Sequence, residues 1–434
     1  MTKILTSDLL ISDVITRVDY DRDGHKIHNG SLEQVLDEMY KKLDPETGGL
    51  MHKGGKYTIN KEDFQKFEQA IEGHDYDLRA GGSSANFLTT LKKLLPKEVD
   101  IDFLGVAGND YNDKHTATIR NSLKGTIGPD LLHVIEDGFP KDSKLEPAIS
   151  FVIVEPNGER TIFTYPGNAK DIIKPEMITE DMVKNADVLV MQGSQWEKMA
   201  PSVADRMVAL RLQAGKEDKK RLQNGGHELW LALPTHAKFG QDNAERFKYL
   251  IPSANVVLGN VEELLNIYQI HQSNGDQDKT HQALLALQKD FKQEYLKKAS
   301  EEKNKNDRWH GSINQVGLIT LGEKGAALIT KDRIHYIAAA NVAKEDIVNK
   351  LGAGDTAYAG FAAAYLKHPV SSLNQFQPTN YEYAARTAME LAGQKLKQDG
   401  PRLENPLKAL INAGSLVAKQ WYNTAMEPSV QVGA

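Results

Sequence analysis

The chain contains no cysteine among its 434 residues. Disulfide scaffolds, metal sites built from thiolates and enzymes with a cysteine nucleophile are therefore excluded. Long apolar segments are also missing, because no run approaches the roughly 18–20 apolar residues that a membrane-spanning helix needs. Asp8 and Asp13 interrupt the apolar stretch at residues 4–18 and would disrupt the hydrophobic region of a secretory signal. The sequence thus predicts a cytoplasmic protein with no membrane partner.

Positive charge is in slight deficit, with 53 Lys and Arg against 59 Asp and Glu and a net charge of −6. Nucleic-acid-binding proteins usually carry a basic surface, so we expect no nucleic-acid partner.

The fingerprints of three enzyme classes are missing as well. There is no G-x-G-x-x-G dinucleotide motif and no G-x-x-x-x-G-K-[ST] phosphate loop, and His227-Glu228 lacks the second histidine of a zinc hydrolase.

Short apolar runs alternate with segments of helical periodicity, and apolar residues make up 40% of the chain. The strand-like runs are 101–104, 149–154, 188–191, 229–233, 256–258 and 316–321, and the helical segments are 86–95, 262–269, 282–297 and 381–396. This alternation predicts an α/β fold with a mostly parallel sheet that is covered on both faces. Ligands of such sheets bind beyond the carboxyl ends of the strands, where the glycine-bearing turns fall.

Three polar segments interrupt this alternation, at residues 20–60, 215–226 and 298–312. They are poor in apolar residues or rich in charge, and we expect solvated surface loops there. Residues 1–434, insertions included, are expected to form one domain, because a large α/β domain with insertions can use the whole length.

Residues 351–361 read LGAGDTAYAGF and combine two glycines, an aspartate and a helix-like run of small residues. Glycine allows a sharp turn and a close ligand, and the N-terminus of the following helix is a site for an anion. Asp355 would repel a phosphate, so its presence favours a base that takes a proton from an attacking hydroxyl. An ordinary helix N-cap at Asp355 explains the same residues.

Residues 79–86 read RAGGSSAN and precede an amphipathic segment. Gly81 and Gly82 allow a ligand to approach the backbone, and Asn86 can bind hydroxyl groups. A tight turn in which Ser83 or Ser84 caps the next helix is the alternative. By itself, neither segment defines a function.

The order of these and further motifs resembles the PfkB (ribokinase-like) family of sugar and nucleoside kinases. The matching segments are 13–18, the GG-x-x-x-N signature at 81–86, G-x-x-G-x-D at 105–110, the P-N-G-E-R-T turn at 156–161, N-x-x-E at 260–263, T-x-G-x-x-G at 320–325 and GAGD at 352–355. The resemblance covers about residues 3–420. It implies a ribokinase-like three-layer α/β/α sandwich with a central, mostly parallel sheet and a small β lid from segments near 14–30 and 147–168. Asn157-Gly158 independently favours a tight hairpin turn in the second segment.

The resemblance also implies the reaction and the residues that perform it. ATP would donate its γ-phosphate to a primary hydroxyl, with Mg²⁺ as cofactor and Asp355 as the catalytic base. The implied anion hole consists of Gly352, Ala353 and Gly354 together with the N–H of Asp355. The implied acceptor site consists of Asp13, Gly81, Gly82 and Asn86, and the implied nucleotide site of Asn260, Thr320, Gly322 and Gly325. Glu263 would hold Mg²⁺ through water, as this cation retains its waters readily.

Asn349-Lys350-Leu351 departs from the family, which usually has Asp-Thr-x before GAGD. Those family positions help to bind a monovalent cation, so the departure argues against activation by potassium. We hypothesise instead that Lys350 places its own charge near the phosphates. The segment 20–60 has no counterpart in compact ribokinases.

The segments 159–168, 192–196 and 400–402 are similar to the adenosine-kinase-like branch. They favour a nucleoside as the acceptor, with a free sugar such as ribose or fructose as the alternative. A catalytically weak kinase relative that serves binding or regulation is the alternative from another class. Family members often dimerise through the lid, so a homodimer is left open.

Overall fold

A computed structural model describes most of the chain. The described residues are 1–7, 10–17, 30–43, 49–72, 75–105, 107–110, 112–124, 132–134, 145–154, 160–168, 173–193, 196, 201–218, 226–233, 241–270, 277–303, 315–367, 378–400 and 402–412. The predicted turn at Asn157-Gly158 lies outside them, as do residues 18–29 of the first lid segment and most of the segments 215–226 and 298–312.

The strands of the described residues are numbered in chain order. They are β1 Thr2–Ser7, β2 Ile11–Arg17, β3 Lys56–Thr58, β4 Tyr76–Gly81, β5 Val99–Gly105, β6 Leu132–Val134, β7 Ala148–Val154, β8 Arg160–Tyr165, β9 Val188–Gln192, β10 Glu228–Ala232, β11 Val256–Asn260, β12 Val316–Thr320, β13 Ala326–Ile329 and β14 Ile334–Ile337.

The helices of the same ranges are numbered likewise. They are α1 Gly30–Tyr40, α2 Lys61–Ile71, α3 Ser83–Leu94, α4 Lys114–Lys124, α5 Glu180–Asn185, α6 Pro201–Glu217, α7 Gln241–Leu250, α8 Val261–Ile267, α9 Gln277–Lys303, α10 Ala353–Lys367, α11 Pro378–Leu396 and α12 Pro406–Asn412. Short 3₁₀ turns occur at Pro175–Met177, Ile251–Ser253, Gly322–Lys324 and Lys344–Asp346.

The larger sheet has the strand order β14-β13-β12-β11-β10-β9-β1-β5-β6. Its strands from β12 to β6 pair in parallel, and β13 and β14 are antiparallel at one edge. Helices α3, α4, α10, α11 and α12 share one apolar core with one face of this sheet, and α5 to α9 share another core with the opposite face. The predicted three-layer α/β/α sandwich with a mostly parallel sheet is therefore confirmed.

Burial on both faces explains why the central strands are continuous apolar runs. In β9, Val188 and Val190 belong to one core, whereas Leu189 and Met191 belong to the other. All four side chains are at most 1% exposed. Such a strand gives no alternation of polar and apolar residues, and the parallel pairing was predicted from the intervening helices instead.

The smaller sheet has the strand order β3-β8-β7-β2-β4. Successive side chains of a strand point to opposite faces, so each strand has an outer and an inner set. The outer set, which includes Val14, Phe151 and Phe163, forms an apolar core with α1 and α2. The inner set includes Asp13 on β2, Ser150 on β7 and Arg160 on β8. We call this five-stranded sheet with α1 and α2 the lid.

The expectation of a solvated loop at residues 20–60 is wrong for the described residues of that segment. They include α1 and β3, and β3 pairs in parallel with β8 at the edge of the lid. Leu32, Leu36 and Met39 of α1 are at most 6% exposed, because they cover the outer face of the lid. The insertion thus supplies a second apolar layer.

The other two polar segments also differ from the expectation where they are described. Residues 215–217 are the last turn of α6, and residues 298–303 extend α9 to a length of 27 residues. Lys216 and Glu217 at the end of α6 are exposed. In the described part of the chain, no helix is both long and apolar enough to cross a membrane.

Candidate active site

The first turn of α10 leaves open space at its N-terminal end, as the predicted anion site requires. Gly352 has φ +74°, a conformation that L-residues with side chains rarely adopt, and it turns the chain into the helix. A Cβ atom at Gly354 would meet no atom within 4 Å, so the space above this turn is open. The N–H of Ala353 donates to the carbonyl of Lys350 over 3.3 Å, so one of the predicted anion-hole groups also stabilises the turn.

Asp355 lies in this first turn and contacts Asn86. The amide Nδ2 of Asn86 donates to Oδ2 of Asp355 over 3.1 Å. The two residues meet because α3 packs against α10, which has small residues along the contact. The helix begins at Ala353, so Asp355 is its third residue and the alternative of an N-cap is wrong. Likewise, α3 begins at Ser83 after Gly82 with no capping side chain, so the serine-cap alternative is wrong too.

Arg402 is a site residue whose place in the site the sequence did not predict. Its Nε donates to Oδ1 of Asn86 over 2.8 Å, and its Nη1 donates to Oγ of Ser122 over 2.6 Å. The remaining nitrogen, Nη2, is buried and has no hydrogen-bond partner. Burial lowers the pKa of Arg402 to about 10, while Asp13 and Asp355 raise it, so the guanidinium is charged at neutral pH.

Asp13 and Gly81 are in direct contact on the inner face of the lid. Gly81 ends β4, and a Cβ atom there would overlap the Asp13 carboxylate, so only glycine leaves room for this side chain. Asp13 itself is 8% exposed. Gly82 follows with φ +92° and turns the chain into α3, which carries Asn86 four residues later. The four predicted acceptor residues therefore lie around the junction of the lid and α3.

The predicted nucleotide residues lie at the ends of two neighbouring strands. Asn260 ends β11, Thr320 ends β12, and the two residues are paired in register. The turn after β12 contains Gly322 with φ +63°, where an added Cβ would meet nothing within 4 Å. Gly325 has φ +96° and packs against the backbone of Ile337 and its neighbours. Gly322 thus lines open space, whereas Gly325 is required by packing.

Asn260 and Glu263 form a capping box at the start of α8. Oδ1 of Asn260 accepts from the N–H of Glu263 over 2.9 Å, and Oε2 of Glu263 accepts from the N–H of Asn260 over 2.8 Å. Glu263 is 6% exposed. Its burial, followed by the charges of Asp355 and Glu262, raises the pKa of this carboxyl well above its usual range, while Lys56 on β3 acts in the opposite direction.

A divalent cation near Glu263 fits these residues. A buried carboxyl with a raised pKa has too little positive charge around it, and a cation would restore its ionised form. One of its oxygens is already used by the helix cap, so direct ligation has little room. The described residues contain no group of three His, Asp or Glu side chains that could hold a metal by themselves. Mg²⁺ is often held by one or two carboxylates with waters and substrate phosphates, which suits this arrangement.

Basic side chains of the lid reach the loop before α10. Nη2 of Arg160 donates to Oδ1 of Asn349, and Nη2 of Arg79 lies 3.5 Å from Oδ2 of Asp399. Asn349 in turn donates through Nδ2 to Oδ1 of Asp399 over 2.8 Å. Lys350 is exposed. Asn349, one of the residues that depart from the family motif, therefore belongs to a polar network between the lid, the loop before α10 and Asp399.

The fold and this site define a class of protein, the ribokinase-like α/β proteins. The structure of adenosine kinase from Sinorhizobium meliloti matches with a TM-score of 0.63 and 20% identity, over 95% of this chain and 99% of that one. A probable sugar kinase from Rhizobium etli CFN 42 matches with 0.64 and 21% over the same shares. Arabidopsis thaliana ribokinase complexed with ribose and ATP matches with 0.52 and 17%, over 94% and 99%.

At these identities the likeness shows the fold alone, and the family follows from the sequence. The model of the pfkB family carbohydrate kinases matches residues 55–408, which is most of the chain. The chain belongs to the pfkB family of carbohydrate kinases. No curated protein sequence matches it.

Proposed function

We propose that the protein is an ATP-dependent kinase that phosphorylates a primary hydroxyl of a nucleoside. The observation that carries this proposal is the Asp355 carboxylate, held by Asn86 in the first turn of α10 beside the open face of Gly354. A base and an anion site next to each other are what phosphoryl transfer to an alcohol needs.

In the reaction, the acceptor hydroxyl would lie against Asp355 and lose its proton to the carboxylate as its oxygen bonds to the γ-phosphorus. The bond between the γ-phosphorus and the bridging oxygen of ADP breaks, and ADP leaves with that electron pair. The N–H groups of Gly354 and Asp355 point out of the helix end and stabilise the charge on the transferred group. Asn86 keeps the carboxylate directed towards the acceptor.

ATP would lie along the ends of β11 and β12, with its phosphates towards α10. Thr320 and the open face of Gly322 line that path, and Gly325 holds the turn in shape. Glu263 would hold Mg²⁺ through water, and Asn260 fixes Glu263 through the capping box. The cation, when bound, neutralises phosphate charge.

A nucleoside is favoured as the acceptor by the inner face of the lid. Asp13 and Asn86 offer polar groups for ribose hydroxyls. Ile15 and Ile162 alternate with residues of the outer core and therefore face inwards, and as partly exposed side chains they offer apolar surface to a base. The similar structures include an adenosine kinase from Schistosoma mansoni in complex with 2-fluoroadenosine, at 16% identity and a TM-score of 0.62.

The test is ATP- and Mg²⁺-dependent release of ADP with adenosine, inosine, guanosine, ribose and fructose as acceptors. Asp355→Asn keeps the size of the side chain and removes the base, and we expect kcat to fall about 10²–10⁴-fold. Asp332→Asn, in an exposed turn between β13 and β14, is the matched control.

A nucleoside that gives the highest rate, together with the loss in Asp355→Asn, would support the proposal. A free sugar as the preferred acceptor would retain the kinase but correct its substrate class. No turnover with any acceptor, despite ATP binding measured by calorimetry, would instead favour a binding or regulatory protein.

A further inference from the structure

Lys395, in the last turn of α11, is a fully buried lysine that the proposed mechanism does not use. Its side chain is 0% exposed, and its Nζ donates to the main-chain carbonyl of Gln398 over 2.9 Å. A lysine is almost never fully buried without a compensating partner, because removing its charge from water is costly. The ammonium therefore has a structural or electrostatic task at this position.

The turn that binds Lys395 also holds the loop before α10. The N–H groups of Val348 and Asn349 both donate to the carbonyl of Leu396, over 2.8 and 3.2 Å. The side chain of Asn349 donates to Oδ1 of Asp399, and its Oδ1 accepts from the N–H of Leu351 over 2.8 Å. The geometry of residues 348–351, and hence of the anion site that follows, depends on the turn at 396–400.

Lys395 belongs to a cluster with an excess of positive charge. Burial, together with the charges of Arg160 and Arg79, lowers the pKa of Lys395 to about 8, although Asp399 acts in the opposite direction. These three groups come from β8, β4 and the turn after α11. Two carboxylates, Asp399 and the Asp77 that pairs with Arg79 over 3.0 Å, face three cations, so one surplus positive charge lies at the turn that holds the loop before α10.

We propose that Lys395 is a positioning residue whose ammonium serves as an internal cation for the loop before α10. It satisfies the Gln398 carbonyl from inside and fixes the turn on which Asn349 and Val348 depend. The loop thereby keeps its shape without a dissolved monovalent cation. The inference rests on the proposed kinase function for its kinetic consequence, but its structural part does not. It assigns to Lys395 the cation role that the sequence suggested for Lys350.

Removing the ammonium should create a requirement for a cation. In Lys395→Ala, the Gln398 carbonyl loses its buried donor, which is unfavourable unless another positive group enters. The vacated space is that of an alkylammonium, so K⁺ or propylammonium can occupy it. In Lys395→Met, the side chain fills the same space without a charge, and neither cation can enter.

The experiment compares the wild type, Lys395→Ala, Lys395→Met and Lys397→Met. Lys397 follows two residues later and makes an exposed ion pair with Asp346, so it is the matched control. The activity with ATP and the best acceptor of the survey above is measured in tetramethylammonium chloride, which is then replaced by KCl or propylammonium chloride at constant ionic strength. Thermal unfolding is recorded in the same solutions.

We expect the wild type and Lys397→Met to be equally active in all salts. Lys395→Ala should lose activity about tenfold or more in tetramethylammonium and regain it with KCl or propylammonium, chiefly in kcat. Among the four proteins, only Lys395→Ala should show a melting temperature that rises with these cations. Lys395→Met should fold, lose activity and show no rescue.

A wild type whose activity requires K⁺ would overturn the proposal. A Lys395→Ala variant whose activity and melting temperature do not change with K⁺ or propylammonium would overturn it as well. If no acceptor releases ADP, the kinase proposal fails. In that case the melting temperature of Lys395→Ala, measured with and without K⁺ or propylammonium, still tests whether Lys395 acts as an internal cation.

Discussion

Arg402 connects residues that are far apart in the sequence. Its hydrogen bonds reach Ser122 and Asn86, which are 280 and 316 residues away. Through Asn86 it acts on Asp355, and its charge attracts both Asp13 and Asp355. One guanidinium thereby sets the orientation of the Asn86 amide: Oδ1 towards the arginine and Nδ2 towards the carboxylate.

We predict that Arg402→Met lowers kcat on the order of 10²-fold, because a misdirected amide misplaces the base relative to the acceptor. Methionine retains much of the apolar volume of the arginine side chain, so the variant should keep a melting temperature close to that of the wild type while its kcat falls. Arg386→Met, at an exposed arginine of α11 paired with Glu382, is the control and should keep full activity. Equal kcat in both variants would show that Asn86 does not need the arginine.

The sequence predicted Asp355, Asn86 and Gly81 because each belongs to a short motif with fixed spacing. The structure brings Asp355 next to Asn86 and Gly81 next to Asp13, although their roles stay predictions. The contacts of Arg402 with Asn86 and of Lys395 with Gln398 could not be predicted in this way. A single basic residue carries no pattern, and its burial arises only from the packing of distant elements.

Helix α2 is the element that gives the lid its own core. Phe67 is 0% exposed, stacks on Phe151 and packs at a tilt against Phe163, with ring centroids 4.9 Å apart in both pairs. Phe64 stacks on Tyr165 at 4.8 Å. Aromatic pairs of this geometry add to the burial of apolar area, so α2 is bound firmly to the sheet.

We predict that Phe67→Ala lowers the free energy of unfolding by about 3–5 kcal/mol, the cost of a large cavity in an apolar core. Leu285→Ala, at a 43% exposed position of α9, should change it by less than about 0.5 kcal/mol. Urea unfolding followed by circular dichroism measures both values. A loss below about 1 kcal/mol for Phe67→Ala would mean that α2 does not contribute a real core.

The insertion shows where reading polarity alone fails. Residues 20–60 are rich in charged and glycine residues, and this average predicted a loop. The described part nevertheless contains Leu32, Leu36 and Met39 at the i, i+4, i+7 spacing of an amphipathic helix. That spacing was a usable signal. The parallel pairing of β3 with β8 was not predictable, because it depends on a partner over a hundred residues away.

At the scale of the whole molecule, Glu228 links the central sheet to α10. It lies in β10, accepts from Nε1 of Trp230 over 2.7 Å and from the hydroxyl of Tyr365 over 3.1 Å, and is 8% exposed. Burial raises its pKa to about 7 from a reference value of 4.5, although both hydrogen bonds lower it. The folded protein therefore binds a proton here more tightly than the unfolded chain does.

This shift makes stability depend on pH in a defined direction. The contribution of a raised carboxyl pKa is fully present below pH 4.5 and is lost as the pH rises to about 7. We predict that Glu228→Gln gains stability relative to the wild type between pH 5 and pH 8. Glutamine stays neutral, its side-chain oxygen can accept from Nε1 of Trp230, and its NH₂ group can donate to the hydroxyl oxygen of Tyr365. The gain should be on the order of 3 kcal/mol, measured by urea unfolding at both pH values. A constant difference between the two proteins would show that Glu228 stays ionised.

The large sheet was predictable as a whole because its rules are general: buried parallel strands, covering helices and ligand turns at the carboxyl ends. Strands β1, β13 and β14 were not among the predicted runs. Thr2 and Thr6 dilute the apolar signal in β1, and β14 includes His335 and an exposed Tyr336.

That one domain accounts for the full chain, and that two chains associate through the lid, stay predictions. The outer face of the lid is already covered by α1 and α2, so such a dimer would need its edges.

The two halves of the proposed acceptor site belong to separately cored parts of the molecule. Asp13 and Gly81 are carried by the lid, whereas Asn86 and Asp355 are carried by helices of the large sandwich. An acceptor that contacts both halves holds the lid and the sandwich together. Part of its binding free energy is then used to align the reacting atoms. A shortened acceptor that reaches only one half should therefore lose more in kcat than in binding affinity.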